Sequence, residues 1–95
     1  MTVPQSLSEV RERIDTLDSA LVQLLGDRQS LVEAAAGFKS DEQQVRSPER
    51  VEQVVALARA RAQEAGLSPA VAEAVWRAMI TAFTELELAK AVFRD

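Results

Sequence analysis

No cysteine, histidine or tyrosine occurs in the chain, and glycine and proline number three each. Without cysteine there are no disulfides, thiolate nucleophiles or zinc–thiolate sites. Without histidine the commonest general base and metal ligand is missing, and a serine or threonine nucleophile lacks its usual imidazole partner. No apolar run approaches the ~20 residues of a membrane span. Met1-Thr2-Val3-Pro4-Gln5 shows neither the basic nor the apolar region of a signal peptide, so a cytoplasmic location is expected. Basic surplus is also lacking: 11 Lys and Arg against 15 Asp and Glu leave a net charge of −4, which argues against a nucleic-acid partner. An enzyme built from this set works by positioning and electrostatics, with no cofactor and no metal expected.

What the chain does contain is helix-forming. Its 95 residues allow one domain, residues 1–95, and 47% apolar with 27% charged residues is a globular composition. Nothing alternates with period two, so an all-α fold of three helices, one long and two shorter, is expected. The first runs from about Ser6 or Leu7 to about Phe38 or Lys39, with a stripe of Leu7, Val10, Ile14, Leu17, Leu21, Leu24, Leu31, Ala35 and Phe38. Residues 40–46 read as a polar loop. Ser47-Pro48-Glu49 then supplies an N-cap, a first-turn proline and a first-turn acid for the second helix. Gly66 closes that helix, and Ser68-Pro69 opens the third, whose apolar side carries Val75, Trp76, Met79, Ile80, Phe83, Leu86 and Phe93.

At 1.5 Å per residue the first helix spans roughly 50 Å, too long for two shorter helices to cover. Its stripe implies a partner, most simply a second copy in a symmetric dimer. The alternative is a monomeric bundle whose first helix breaks near Gly26.

Several charges fall where apolar residues belong. Arg28 occupies the step between Leu24 and Leu31. On a continued helix Lys39 lies about 20° around from it and about 16 Å further on. The two could reach a ligand between them, or snorkel with their heads in water. Arg50 flanks the apolar side of the second helix, and Arg46 precedes it. Arg11 is about 25 Å from Arg28, too far to share a small ligand within one chain. Taken singly, Arg11, Arg46 and Arg50 read as solvated charges. Glu87, on the apolar face of the third helix, either pairs with Lys90 three residues on or faces a cationic pocket.

Together these segments resemble the all-helical (AroQ-type) chorismate mutases. The resemblance rests on Val10-Arg11-Glu12-Arg13-Ile14-Asp15-Thr16-Leu17-Asp18, on Leu24-Leu25-Gly26-Asp27-Arg28, and on Lys39, Arg50 and the Gly66-Leu67 turn. It implies an intertwined helical homodimer with two active sites shared between chains. In it, Arg11 of one chain would meet Arg28, Lys39 and Arg50 of the other. The arginines would hold the two carboxylates of a small dicarboxylate substrate, and Lys39 would also reach its ether oxygen. A residue matching Glu87, usually Gln, donates to that same oxygen, which for a carboxyl group requires the protonated form. A pericyclic step needs no more than such folding of the ligand and stabilisation of charge on the breaking C–O bond.

Three features depart from the mutase pattern. Val51 replaces a Glu that in many mutases contacts the ring hydroxyl, the loop is one residue shorter than in some, and Phe83 replaces a small polar residue. The run from Phe38-Lys39 to Ser47-Pro48-Glu49-Arg50-Val51 resembles instead the isochorismate-pyruvate lyases. Glu87 departs from those lyases, which keep Gln, whereas some fungal mutases use Glu. The expected substrate contacts are therefore Arg11, Arg28, Lys39, Arg46, Arg50, Val51 and Phe83, with Lys39, Glu87 and Arg28 carrying catalysis. The expected reaction is chorismate to prephenate, a step toward aromatic amino acids. The alternatives are cleavage of isochorismate to salicylate and pyruvate, and a non-catalytic helical interaction module. Against the module stands Arg28, since a leucine there would pack better.

Overall fold

A computed structural model describes residues 2–91; Phe93, expected on the third helix, lies outside them. The described residues form four helices: α1 (Leu7–Ala36), α2 (Glu42–Arg46), α3 (Pro48–Ala65) and α4 (Pro69–Lys90). The fold is all-α, as the composition requires. Compact packing divides the chain between Leu31 and Val32.

The first unit is the segment up to Leu31. Helix α1 runs unbroken through Gly26, which removes the alternative of a break there. It buries none of its side chains: Leu17, Leu21, Leu24 and Leu31 are 64%, 54%, 64% and 71% exposed. Its end comes earlier than the stripe suggests. The backbone N–H groups of Gly37, Phe38 and Lys39 donate to the carbonyls of Ala34, Ala35 and Ala36 at 3.0 to 3.2 Å. These are three-residue bonds, the tightening by which a helix end satisfies its last carbonyls. Phe38 and Lys39 thus lie past the helix, and Phe38 is 90% exposed instead of continuing the stripe.

The second unit holds the core. Its first surprise is α2, where the sequence reads as a loop. The Asp41 carboxylate accepts from the Gln44 N–H at 2.8 Å, and the Gln44 side-chain oxygen accepts from the Ser40 N–H at 2.6 Å. This reciprocal capping starts a single turn, whose Val45 is buried. Ser47 ends α2 and begins α3. It holds the expected N-cap position, with Pro48 and Glu49 in the first turn, but its φ of 34° is left-handed and its side chain makes no capping bond. A non-glycine residue held there costs about 1–3 kcal/mol.

Helices α3 and α4 form a hairpin. Gly66 turns the chain at φ 77°, a conformation that favours glycine. The Ser68 hydroxyl then accepts from the Val71 N–H, capping α4. The buried residues are Val45, Val55, Ala58, Ala62 and Ala72, with Glu87 the buried charge. Small side chains on both helices let their backbones approach closely. Along the hairpin, Arg77 pairs with Glu52 at 2.9 Å and Glu73 at 2.8 Å, while Arg59 reaches Glu73 at 2.7 Å.

Candidate active site

Helix α4 is the backbone of the candidate site. Residues spaced three and four apart share a face of a helix, so Ile80, Thr84 and Glu87 project from one side of α4. Glu87 is 6% exposed, a carboxyl group taken out of water. A buried charge needs a partner, and Lys39 supplies it: its Nζ donates to Glu87 Oε1 at 2.9 Å. The expected alternative, pairing of Glu87 with Lys90, is not what forms. Lys90 donates instead to Glu33 at 3.1 Å. The Lys39 side chain keeps 26% of its surface exposed, so the cation remains reachable from solvent while its acid does not. A cleft of about 280 Å³ beside Glu87 is lined further by Val32, Ala36 and Leu86.

A second cleft of about 270 Å³ lies along the same helix. Arg46, Val51, Ile80 and Thr84 line it, with Arg77, Thr81 and Glu85 at its polar side. Two of the expected substrate contacts, Arg46 and Val51, therefore meet here. Arg46 is exposed and pairs with Glu42 at 2.9 Å on its own short helix, a bond that a ligand carboxylate can replace at little cost. Arg77 is more committed. Hydrogen bonds to Glu52 and Glu73 raise its basicity further, and the Arg77 guanidinium in turn holds both carboxyls below the usual glutamate range.

The remaining expected residues are placed separately. Arg50 is exposed on the first turn of α3, donating to Gln53 Oε1 at 2.6 Å. Phe83 is half-buried on α4, next to the cleft-lining Thr84. In the first unit, Arg28 is half-buried on α1, whereas Arg11 is exposed and makes no hydrogen bond or ion pair among the described residues. Their spacing along α1 is about 25 Å, as the rise per residue requires. Among the described residues no group of three acidic side chains gathers as a metal site, and no described helix is long and apolar enough to cross a membrane.

Sequence reasoning missed Ile80 and Thr84 as cleft residues. Their signal is the spacing Ile80, Thr84, Glu87, one face of one helix; Phe83 enters the expected set through the resemblance, as the position where some mutases carry a small polar residue. The resemblance brings Lys39 and Glu87 to one ether oxygen, but their direct ion pair has no local signal, since the two are far apart in sequence and Lys39 lies past the end of α1.

Comparison with known proteins decides the family. The model of chorismate mutase type II matches residues 10–88. The chain belongs to the chorismate mutase type II family. It is also similar to an isochorismate pyruvate lyase of Pseudomonas aeruginosa, 36% identical over 74 residues, covering 78% of this chain and 73% of that protein. The chain is thus an enzyme of the group formed by chorismate mutases and isochorismate pyruvate lyases, acting on a small molecule. Every expected site residue from Arg11 to Glu87 falls inside the matched segment.

Proposed function

We propose that this chorismate mutase type II protein rearranges chorismate to prephenate, with Lys39, Glu87 and Arg28 as its catalytic residues. The carrying observation is the buried Glu87 carboxyl held 2.9 Å from Lys39. In the rearrangement the ether C–O bond breaks while a C–C bond forms, and negative charge gathers on the ether oxygen. Lys39 donates to that oxygen. Glu87 accepts from Lys39 with one oxygen, and in its protonated form donates to the ether through the other. Such groups act by being fixed in place before the charge develops. Arg28, Arg46 and Arg50 bind carboxylates, and folding the ligand into its reactive shape supplies the rest of the acceleration.

The site is completed by Arg11 of the partner subunit in a homodimer. Support comes from α1, whose leucines are exposed in the single chain and whose Arg11 and Arg28 are too far apart to grip one small ligand.

A second reading, release of pyruvate from isochorismate with formation of salicylate, is favoured by the Pseudomonas aeruginosa relative and by Val51 beside Arg50. Both reactions break the same kind of C–O bond, so the same cations serve either. One experiment separates them: purified protein is mixed with chorismate and, separately, with isochorismate, and prephenate, salicylate and pyruvate are quantified. Prephenate as the dominant product is expected. Salicylate and pyruvate from isochorismate at a higher kcat/KM would establish the second reading. No turnover of either would leave a helical binding module.

A further inference from the structure

We infer that Thr84 reads the ring hydroxyl of the substrate and is the residue of this cleft that sets its preference for a hydroxylated ring. The inference rests on the proposed rearrangement of chorismate. In chorismate the ring hydroxyl stands on the carbon next to the one bearing the ether oxygen, on the side away from the ring carboxylate. Whatever holds the hydroxyl must therefore lie close to the group that addresses the ether.

A hydroxyl taken into a cleft both donates and accepts, and leaving its proton without an acceptor is costly. The cleft's cations cannot help with that proton. Arg46 and Arg77 have donors only, and Val51 and Ile80 have no side-chain polar atom. Three side chains that line the cleft carry an acceptor oxygen: Thr81, Thr84 and Glu85. Helical geometry separates them. Thr84 lies one turn before Glu87, about 60° around the axis and about 4.5 Å along it. Thr81 is about 120° away from Glu87, and Glu85 about 160°. Both of these are exposed, whereas Thr84 is half-buried.

The state of the hydroxyl points the same way. Helical Ser and Thr commonly bond back to a carbonyl one turn earlier. Thr16 does so to the Glu12 carbonyl at 3.1 Å, and Ser30 to that of Gly26 at 3.3 Å. Thr84 does not, and its hydroxyl has no partner among the described residues. It lines a cleft with its hydrogen-bonding capacity unspent.

The test compares chorismate with its analogue lacking the ring hydroxyl, on wild type, Thr84→Val and Thr84→Ser. Folding of each variant is confirmed by circular dichroism and thermal melting. In wild type the hydroxylated substrate should be favoured about tenfold in kcat/KM. Thr84→Val, which keeps the shape and removes the hydroxyl, should bring that preference close to one, while Thr84→Ser should retain it. A preference unchanged in Thr84→Val would overturn the assignment, as would its loss in Thr84→Val and Thr84→Ser alike, which would assign the effect to packing of the methyl group. No turnover of chorismate by wild type would instead overturn the proposed function, and this role with it.

Discussion

The two units of this chain solve opposite problems. From Val32 onward, small alanines, Val45 and Val55 are buried, three helices are capped or closed by identifiable residues, and one carboxyl group is buried with a cation beside it. Up to Leu31 there is a long helix with no buried side chain. Helices draw most of their stability in proteins from packing an apolar face, and the leucines of α1 up to Leu31 are exposed. Each leucine fully covered would contribute about 1.5–3 kcal/mol. The contrast teaches that the second unit carries its own core, whereas the first leaves its apolar stripe exposed, the observation behind the proposed homodimer.

The strongest way to break this comparison is to make the α1 stripe hostile to a partner. Leu17→Glu with Leu24→Glu should convert a dimer to monomers and abolish activity, read by sedimentation and by turnover at matched concentration. A dimer that survives both changes would place the interface elsewhere. Next is Arg28. Its replacement by Ala should lower kcat/KM roughly 30- to 1,000-fold, the equivalent of about 2–4 kcal/mol in a charge-assisted carboxylate contact. Arg28→Lys should lose less, since it keeps the charge and forfeits the planar fork. Wild-type kinetics in a folded Arg28→Ala protein would remove α1 from the site.

In the second unit the Lys39–Glu87 pair sharpens the contrast, because its two members are unequally buried. Removing Lys39 leaves a buried carboxyl without its cation, a change worth about 3–5 kcal/mol in a fully buried pair and less here because Lys39 is partly exposed. Lys39→Ala should therefore lower Tm more than Glu87→Gln, and Glu87→Gln should keep activity because the amide still donates, while Glu87→Ala should not. Equal Tm losses in the Lys39→Ala and Glu87→Gln proteins would mean that the pair is not organised by burial.

The smallest expected effect lies in the ion pairs that Arg77 makes with Glu52 and Glu73. Glu52 and Glu73 are held below their ordinary range by hydrogen bonds from Arg77. A carboxyl with a depressed folded-state value stabilises above the unfolded value, about pH 4.3, and loses that contribution as pH falls through the folded one. Arg77→Met should thus reduce Tm slightly near neutral pH, and the gap should close on acidification or in high salt. A gap that widens in acid would contradict the sign of this coupling.

How much of this was legible in the residues depends on whether the signal was local. The three long helices follow from stripe spacing and from Ser68-Pro69 and Gly66, all local features that the structure uses. Helix α2 was legible in principle: Asp41 and Gln44 have capping-box spacing, but the turn is too short to show a period. Ser47 has the right identity for a cap and the wrong backbone, because one residue cannot both close α2 and cap α3 with extended geometry. The resemblance brings Lys39 and Glu87 to one ether oxygen, but their direct ion pair has no local signal, since it depends on where α1 stops and on packing between distant segments.

The claim that joins both units is that one chain lends its first helix to the second unit of another. Arg11→Ala and Arg28→Ala proteins, each inactive alone, can be mixed under conditions in which subunit exchange is demonstrated with tagged chains. A heterodimer of the two has one site with both arginines intact and one with neither, so turnover should reappear on mixing and grow with the heterodimer fraction. Demonstrated exchange with no recovered activity would contradict a site shared between chains.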